Sequence, residues 1–512
     1  MNSLLAELSE FGDLLLTGST LRRYERDYSM FRSRPTAVVR PDSIEEVQRT
    51  LRIARKYRTP VTARAGGSNT GGSALGTGIV LLMDHPALAS IEINRERKLA
   101  SVGAAARHDT LQRRLREQGL WLASDPSSGP LSLIGGNIAT RASGPHALRH
   151  GSISGYVNQV TFVTADGMLV SSDDATTIPR QTSERLQALG RRIAANDTVM
   201  RELLRHDGQK WASGYDLLSL VEAGENTSDA LPRLLCGSVG TLGILVAAEL
   251  AVDPVPGART AVQLAFSHEV DACHAAMLLR EHADAVEFVS RESLQLLREH
   301  NSTLVESRAE ALLIAEFSSI GETSIRELLD QLRGAYPLAV EPQVARSGEE
   351  IEAIWRARKA LLPTIQRVCR ERGLCTPSVI NDVGVPPDRL AELLRALRTV
   401  FRSFNLEVAI YGHAGSGNLH LRPLMKNPDR ARLHEIATQV YTCVTSFGGF
   451  VTAEHGMGPL RAPFLSLEWS SDTLHYMREL KTIFDPDELL NPGAVFPLDD
   501  ILDSGWPSQI EL

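Results

Sequence analysis

Along the first half of the chain, short β-branched runs alternate with stretches whose apolar residues return every three or four positions. Thr36–Val39 reads as a strand, and Ser43-x-x-Glu46 has the spacing of a capping box that opens a helix with Ile44, Val47, Leu51 and Ala54 on one face. Val61–Arg64 and Ile79–Met83 are the next two strands, so a βαβ unit is expected here. Between them runs AGGSNTGGSALGTG, residues 65–78, a connection with far more glycine than a turn needs. A second Gly/Ser-rich stretch, Asp125 to Pro145, is too long and too polar for a simple turn.

After Pro254-Val255-Pro256-Gly257 the periodicity lengthens. Helices are expected at Glu269–His282, Ser324–Gly334 and Glu349–Arg372, interleaved with strands in AVQLAF, ALLIAEF, PLAVEPQVA and SVINDVGV. That alternation predicts an α+β domain, an antiparallel sheet with helices on one face. The expected division is 1–33, an N-terminal helical segment; 34–255; 256–447; and 448–512, where Gly/Pro-punctuated motifs return.

Composition narrows the function class. The 512 residues carry 54 Lys+Arg and 62 Asp+Glu, a net charge of −8 that argues against nucleic acid or an anionic membrane as the partner. Five cysteines with no C-x-x-C spacing support neither a disulfide framework nor a zinc ribbon or iron–sulfur site. The N-terminus lacks a basic region and reads as an amphipathic helix rather than a targeting peptide, and Leu234–Val252 holds too many glycines for a membrane span. A cytoplasmic protein, not integral to the membrane and acting on a small molecule, is the expectation.

Two kinds of chemistry stand out. Gly-rich loops expose consecutive backbone N–H groups to an anion, and side chains there would block a pyrophosphate. The loop from Gly66 to Gly72 has that character, although by itself it fits a flexible connection equally well; it is neither a G-x-G-x-x-G fingerprint nor a P-loop. The second kind lies in Y-G-H-A-G-S-G-N-L-H-L-R, residues 411–422, and in G-G-F-V-T-A-E-H-G-M-G, residues 448–458. Two imidazoles and a carboxylate make a three-ligand set for a borderline divalent ion with positions open for substrate. The glycines at 412, 415 and 417 argue against a helix, so a strand, a tight turn and a second strand would bring His413 and His420 together.

Taken in order, Asp125-Pro-Ser-Ser128, Ile134-Gly-Gly-Asn-Ile-Ala-Thr140, His150-Gly151, Ser213-Gly-Tyr215, Gly237-Ser-Val-Gly-Thr-Leu-Gly-Ile244 and the two metal motifs resemble the vanillyl-alcohol oxidase / p-cresol methylhydroxylase flavoproteins. Within them the likeness is to the branch of D-lactate dehydrogenases, glycolate oxidase flavin subunits and D-2-hydroxyglutarate dehydrogenases, over roughly residues 20 to 497. The resemblance implies a two-subdomain FAD-binding domain of that type over 34–255, an α+β substrate (cap) domain over 256–447, and a C-terminal segment that returns to the flavin.

It further implies that FAD is lined by Arg64, Ala65, Gly66, Gly67, Ser68, Asn69, Thr70, Asp125, Pro126, Ser127, Ser128, Gly135, Gly136, Asn137, Ala139, Thr140, Gly144, His150, Gly151, Gly240, Thr241, Ile244 and Asn491. Ser68 stands where some members carry a flavin-linking His, so FAD is expected to be non-covalent. His413, His420 and Glu454 are implied as ligands of a divalent metal, with zinc the expected ion. His455 is implied as general base, Asn418 as a catalytic group orienting substrate oxygens, and Arg358 as the carboxylate partner. Arg422 and Arg461 flank the motifs as further substrate-binding candidates, though each fits a plain ion pair as well. Ser416, Leu362 and Ile380 depart from the residues of 2-hydroxyglutarate enzymes, which leaves the hydroxy acid open, and Val239 stands where an acidic residue is usual. A separate iron–sulfur or other electron acceptor is the implied partner, and a homodimer is compatible with the sequence. Two other readings, a metallohydrolase and a flavin-bearing electron-transfer subunit, leave the Gly-rich loops or the metal motifs without a use.

Overall fold

The computed structural model describes residues 2–10, 15–299, 308–498 and 506. It divides into two compact units: residues 1–142, 152–255 and 454–512, and residues 143–151 with 256–453.

Apart from a two-stranded pairing of Leu120–Trp121 with Asp253–Pro254, the first unit holds two sheets among the described residues. In the smaller, Ala37–Val39, Ile79–Leu82 and Val61–Arg64 lie side by side in parallel, in that order, with Leu15–Leu16 antiparallel on the outer edge. Helix Ile44–Lys56 makes the βαβ crossover and buries Val47, Leu51 and Ala54 against Val39, Val61, Ile79 and Leu81. A Leu fully withdrawn from water, as Leu51 is, contributes about 1.5–3 kcal/mol. The expected capping box does not close. Ser43 makes no side-chain cap, and the Glu46 carboxylate instead accepts from the Asp42 N–H at 3.0 Å, one residue further back. Because Val61–Arg64 and Ile79–Leu82 are parallel neighbours, their connection must travel back along the strand length. The Gly-rich segment 65–78 makes that return without a helix. The second sheet is antiparallel, in the order Ile91–Asn94, Leu99–Gly103, Ile244–Ala251, Val157–Val163, Leu169–Ser171.

The second unit is built on a seven-stranded antiparallel sheet, in the order Gln343–Ala345, Thr260–Phe266, Ala311–Phe317, Ala285–Ser290, Glu407–His413, Asn418–Leu424, Val383–Gly384. Every residue of Ala285–Ser290 and Ala311–Phe317 is buried, so both faces of these two central strands are covered. The expected helix Glu349–Arg372 is two, Gly348–Lys359 and Leu361–Glu371. Pro363 has no N–H for the Lys359 carbonyl, and the chain restarts its helix at that point. The strands expected in PLAVEPQVA and SVINDVGV shrink to Gln343–Ala345 and Val383–Gly384. Among the described residues no helix is long and apolar enough to cross a membrane.

Candidate functional site

In the first unit the glycine positions are set by close backbone approach. A Cβ on Gly66 would stand 2.1 Å from the Leu131 carbonyl oxygen, while Gly67 and Gly72 have φ of +67° and +87°. The Asn69 Oδ1 gathers the N–H groups of Gly71 (2.7 Å) and Ser73 (3.1 Å), curling residues 69–73 around one side chain, and its Nδ2 donates to the His455 carbonyl at 3.1 Å. Gly135 and Gly136 open the short helix Ile134–Ala139 and press against Ala104 and Ala65, where a Cβ on either would meet a methyl at 2.8 Å. Pro126–Gly129 form a turn closed by Gly129 N–H to the Pro126 carbonyl at 2.9 Å.

Several implied flavin residues have other work for their side chains. Asn137 pairs with His108 at 3.2 Å, Thr140 Oγ1 donates to the Gly136 carbonyl, and Ile244 is a core residue. Thr241 Oγ1 donates to the Ser238 carbonyl at 2.6 Å and meets the Tyr215 hydroxyl at 2.7 Å. The Asn491 amide donates to the carbonyls of Ser73 (2.9 Å) and Val239 (2.7 Å), tying two loops together; Val239 and Gly240 there have φ of +46° and +73°. The hydroxyls of Thr70 and Ser132 are buried with no hydrogen-bond partner among the described residues. A cradle that excludes Cβ atoms, presents backbone N–H groups and keeps two unspent hydroxyls fits a dinucleotide such as FAD.

Ahead of this cradle lies a strap. Tyr28 N–H donates to the Asn69 carbonyl, and the Arg64 guanidinium, packed on Gly67, donates to the Arg26 carbonyl at 2.8 Å. Asp27 accepts from Ser29 N–H and Oγ through Oδ1, whereas Oδ2 is buried without a partner, and burial pushes this carboxyl up to about 6. Also in the first unit, Glu454 Oε2 accepts from the buried Lys210 ammonium at 2.7 Å, and His455 Nε2 lies 3.5 Å from Glu454 Oε1. Arg461, fully buried, donates to the Gly456 carbonyl at 2.8 Å beside Gly71, so its guanidinium braces the loop.

The second unit collects its polar groups on one face of the large sheet. Glu407–His413 and Asn418–Leu424 form a hairpin through the turn Ala414–Ser416 and Gly417, whose φ is +70°. The register sets Tyr411 opposite His420, His413 opposite Asn418 and Ala409 opposite Arg422, so Tyr411, His413, His420 and Arg422 share a face. The His413 and His420 rings are 5.2 Å apart and nearly perpendicular. His413 Nδ1 is hydrogen-bonded to Glu287 Oε1, and His420 Nδ1 donates to the Asn381 carbonyl at 3.1 Å, so Nε2 of each ring carries the lone pair. Ligand atoms of these two histidines lie within 4.8 Å of one another, as do those of Asp382 and His420. Two imidazoles oriented through Nδ1 by a carboxylate and a carbonyl have the arrangement that a borderline divalent ion requires.

Asn418 spends both amide hydrogens, on Asp382 (2.8 Å) and the Val383 carbonyl (2.9 Å); Asp382 in turn accepts from Thr452 Oγ1 and Ala453 N–H, fixing that segment of backbone. Arg358 lies 2.5 Å from Glu287 Oε2 and 5.0 Å from the Tyr411 ring, and its Nε is buried with no hydrogen-bond partner. Arg422 Nε donates to the Tyr411 hydroxyl at 3.4 Å. Gly144, His150 and Gly151 fall in this unit, in the segment 143–151 that docks through His146 on Glu316 (3.2 Å) and Leu148 against Gly415.

Glu287, Glu316, His108 and Lys210 lie outside every motif of the sequence. A single carboxylate inside an apolar strand, as in AVEFVS and ALLIAEF, is the signal that marks the first two, since a buried charge demands a partner.

The comparisons agree with this geometry. A family described as FAD binding domain matches residues 35–173, and one described as FAD linked oxidases, C-terminal domain, matches residues 255–495. Glycolate oxidase subunit GlcD of Bacillus subtilis is 27% identical over 92% of this chain and 90% of its own length. D-2-hydroxyglutarate dehydrogenase of Escherichia coli is 29% identical over 96% of this chain, which spans only 51% of that longer protein. Among solved structures, 4-ethylphenol oxidase from Gulosibacter chungangensis shares the fold with a TM-score of 0.69, covering 99% of this chain and 98% of that one at 16% identity. The chain therefore belongs to the FAD-linked oxidases of the vanillyl-alcohol oxidase / p-cresol methylhydroxylase family, related to glycolate oxidase subunit GlcD and to D-lactate and D-2-hydroxyglutarate dehydrogenases.

Proposed function

We propose that this FAD-dependent oxidoreductase is a dehydrogenase that oxidises a D-2-hydroxy acid to the 2-oxo acid with a divalent metal, zinc or a similar ion, held by His413, His420 and Glu454. The observation that carries the reading is the hairpin pair: two buried imidazoles, each held through Nδ1, on one sheet face with a buried arginine. FAD, when bound in the Gly66–Gly72 and Gly135–Thr140 cradle, supplies the acceptor for the hydride that leaves the α-carbon. The metal, when bound, supplies a Lewis acid that lowers the pKa of the substrate hydroxyl.

The chain's own groups do the rest. Arg358 presents its unspent Nε–H to the substrate carboxylate, and the planar fork fixes its orientation. His455 takes the hydroxyl proton, for which an imidazole is suited near neutral pH. Asn418, with both donors engaged, is a positioning residue that holds Asp382 and the hairpin turn. Arg422 acts on the same carboxylate region through Tyr411. Leu362 packs on the apolar cluster and Ile380 is fully buried, so neither supplies a polar contact for a second carboxylate; a monocarboxylic hydroxy acid is the favoured substrate. Electrons leave for a separate acceptor, an iron–sulfur protein by preference, in the cytoplasm.

The test is anaerobic mixing of the purified yellow protein with D-lactate, glycolate or D-2-hydroxyglutarate. Bleaching of the visible flavin bands by a D-2-hydroxy acid, abolished by chelation, is expected. Bleaching that survives complete removal of metal would overturn the metal assignment, and the absence of bleaching with any 2-hydroxy acid would overturn the substrate class.

A further inference from the structure

We infer that Glu287 is a positioning residue that couples the metal-binding end of the site to its carboxylate-binding end. This role rests on the reading above and falls to a residue that neither the motifs nor the family resemblance singled out.

Glu287 is the one acidic residue of the strand Ala285–Ser290 and is wholly buried. A carboxylate withdrawn from water costs several kcal/mol unless its oxygens are met by donors. Oε1 is met by a hydrogen bond and Oε2 by an ion pair, from two different elements. The register that pairs Phe288 with Gly412 and Val289 with Tyr411 brings Glu287 opposite His413, and its Oε1 engages the His413 Nδ1. Its Oε2 lies 2.5 Å from an Arg358 terminal nitrogen, in the last turn of helix Gly348–Lys359. The carboxylate is a rigid plane, so turning Oε1 toward the His413 ring also sets where Oε2 stands beside the Arg358 charge. One partner fixes the tautomer of a metal-binding imidazole; the other is left with a buried Nε–H to offer a ligand. Tyr411, under the guanidinium at 5.0 Å and beside His420 at 5.2 Å between ring centres, closes the same group from below.

Two consequences distinguish this role from ordinary scaffolding. Removing the charge of Glu287 should weaken metal and substrate carboxylate together. In addition, the effects of changing Glu287 and Arg358 on substrate affinity should not add, because each acts through the other.

The experiment uses the full-length protein, loaded with FAD and stripped of metal, titrated calorimetrically with zinc chloride and with manganese chloride. Glu287→Gln should bind either ion about 10- to 100-fold more weakly, the usual effect of losing the partner of a ligating histidine, while keeping its flavin spectrum. The KM for the best hydroxy acid should rise together with the metal Kd, and Glu287→Gln/Arg358→Lys should raise it little beyond the larger single change. Glu287→Asp keeps the charge but cannot span both partners, so its metal affinity should fall between wild type and Glu287→Gln. Should Glu287→Gln fail to retain flavin, Glu287→Asp becomes the deciding variant, and wild-type metal affinity in it would overturn the inference. His413→Ala separates the two levels. If it loses metal while both Glu287 variants bind normally, the coupling is wrong and the metal reading stands; if His413→Ala also binds normally, the metal reading itself is wrong.

Discussion

Gly66→Ala tests whether close packing of two loops is what shapes the flavin cradle. The added Cβ would stand 2.1 Å from the Leu131 oxygen and 3.0 Å from its carbonyl carbon. Real Cβ contacts essentially never fall below 3.0 Å, so the loops must part by at least 3.0 − 2.1 = 0.9 Å. Both colliding atoms are backbone, and no rotamer change can absorb the clash. Overpacking of this kind costs about 1–3 kcal/mol, which for a domain of this size lowers Tm by roughly 2–12 °C. The larger effect should be on the cofactor, because a cradle displaced by about 1 Å no longer presents its N–H groups together. The assay pairs a thermal melt with the ratio of flavin to protein absorbance after gel filtration. Gly155→Ala is the control, since nothing lies within 4 Å of its Cβ position and its φ is ordinary. Gly66→Ala should lose most of its flavin and Gly155→Ala none. A Gly66→Ala protein that keeps full flavin and the wild-type Tm would refute the argument.

Three further outcomes are expected. Acid precipitation should release all the flavin into solution, because Ser68 offers no imidazole for a covalent link; yellow colour retained in the washed pellet would contradict this. His420→Ala should lower metal content and flavin reduction together, whereas His455→Ala should keep metal and FAD and slow reduction by about 10²- to 10⁴-fold, read by metal analysis beside stopped-flow absorbance. Asp27 is an acid whose pKa is raised to about 6 in the folded chain, so its contribution to stability is full below pH ~4 and is lost as pH rises through about 6. Asp27→Asn, which keeps the Oδ1 turn to Ser29, should therefore gain on wild type between pH 5 and pH 7.5, by at most about 3 kcal/mol. A Tm difference that is the same at both pH values would remove Asp27 as the cause.

What could be read from the chain follows from which interactions are local. The strands on either side of residues 65–78 were legible because strand and helix periods are written in neighbouring residues, and glycine marks the points of close backbone approach; their parallel pairing was not, since it depends on the path of the loop between them. His413 and His420 were legible as a pair because Gly412 and Gly417 rule out a helix and leave a hairpin, whose register then follows from the turn. The Ser43–Glu46 box was misread because spacing permits the bond without requiring it, and Glu46 found the Asp42 N–H instead. The break at Ala360 was available in Pro363 but was outweighed by continuous helical periodicity on both sides. Glu287, Glu316 and Lys210 announce that a partner exists without naming it, since His413, His146 and Glu454 lie 126, 170 and 244 residues away.

The flavin-binding unit is written in separate pieces, and its last piece is its latch. Lys481 donates to the carbonyls of Thr241 and Leu490, Val61 N–H to that of Leu489, and Asn491 to those of Ser73 and Val239. Until Asn491 has left the ribosome, the loops that will face the pyrophosphate lack the bonds that set their spacing. Synthesis of the stretch from Val255 to Asn491, roughly 240 residues at about 5–20 per second, takes on the order of 10–50 s. Over that interval the nascent N-terminal half lacks the bonds that Asn491 makes to its loops. A ribosome stalled before Asn491 would leave a product that has every glycine of the cradle and lacks the ties from Lys481 and Asn491 that join its loops.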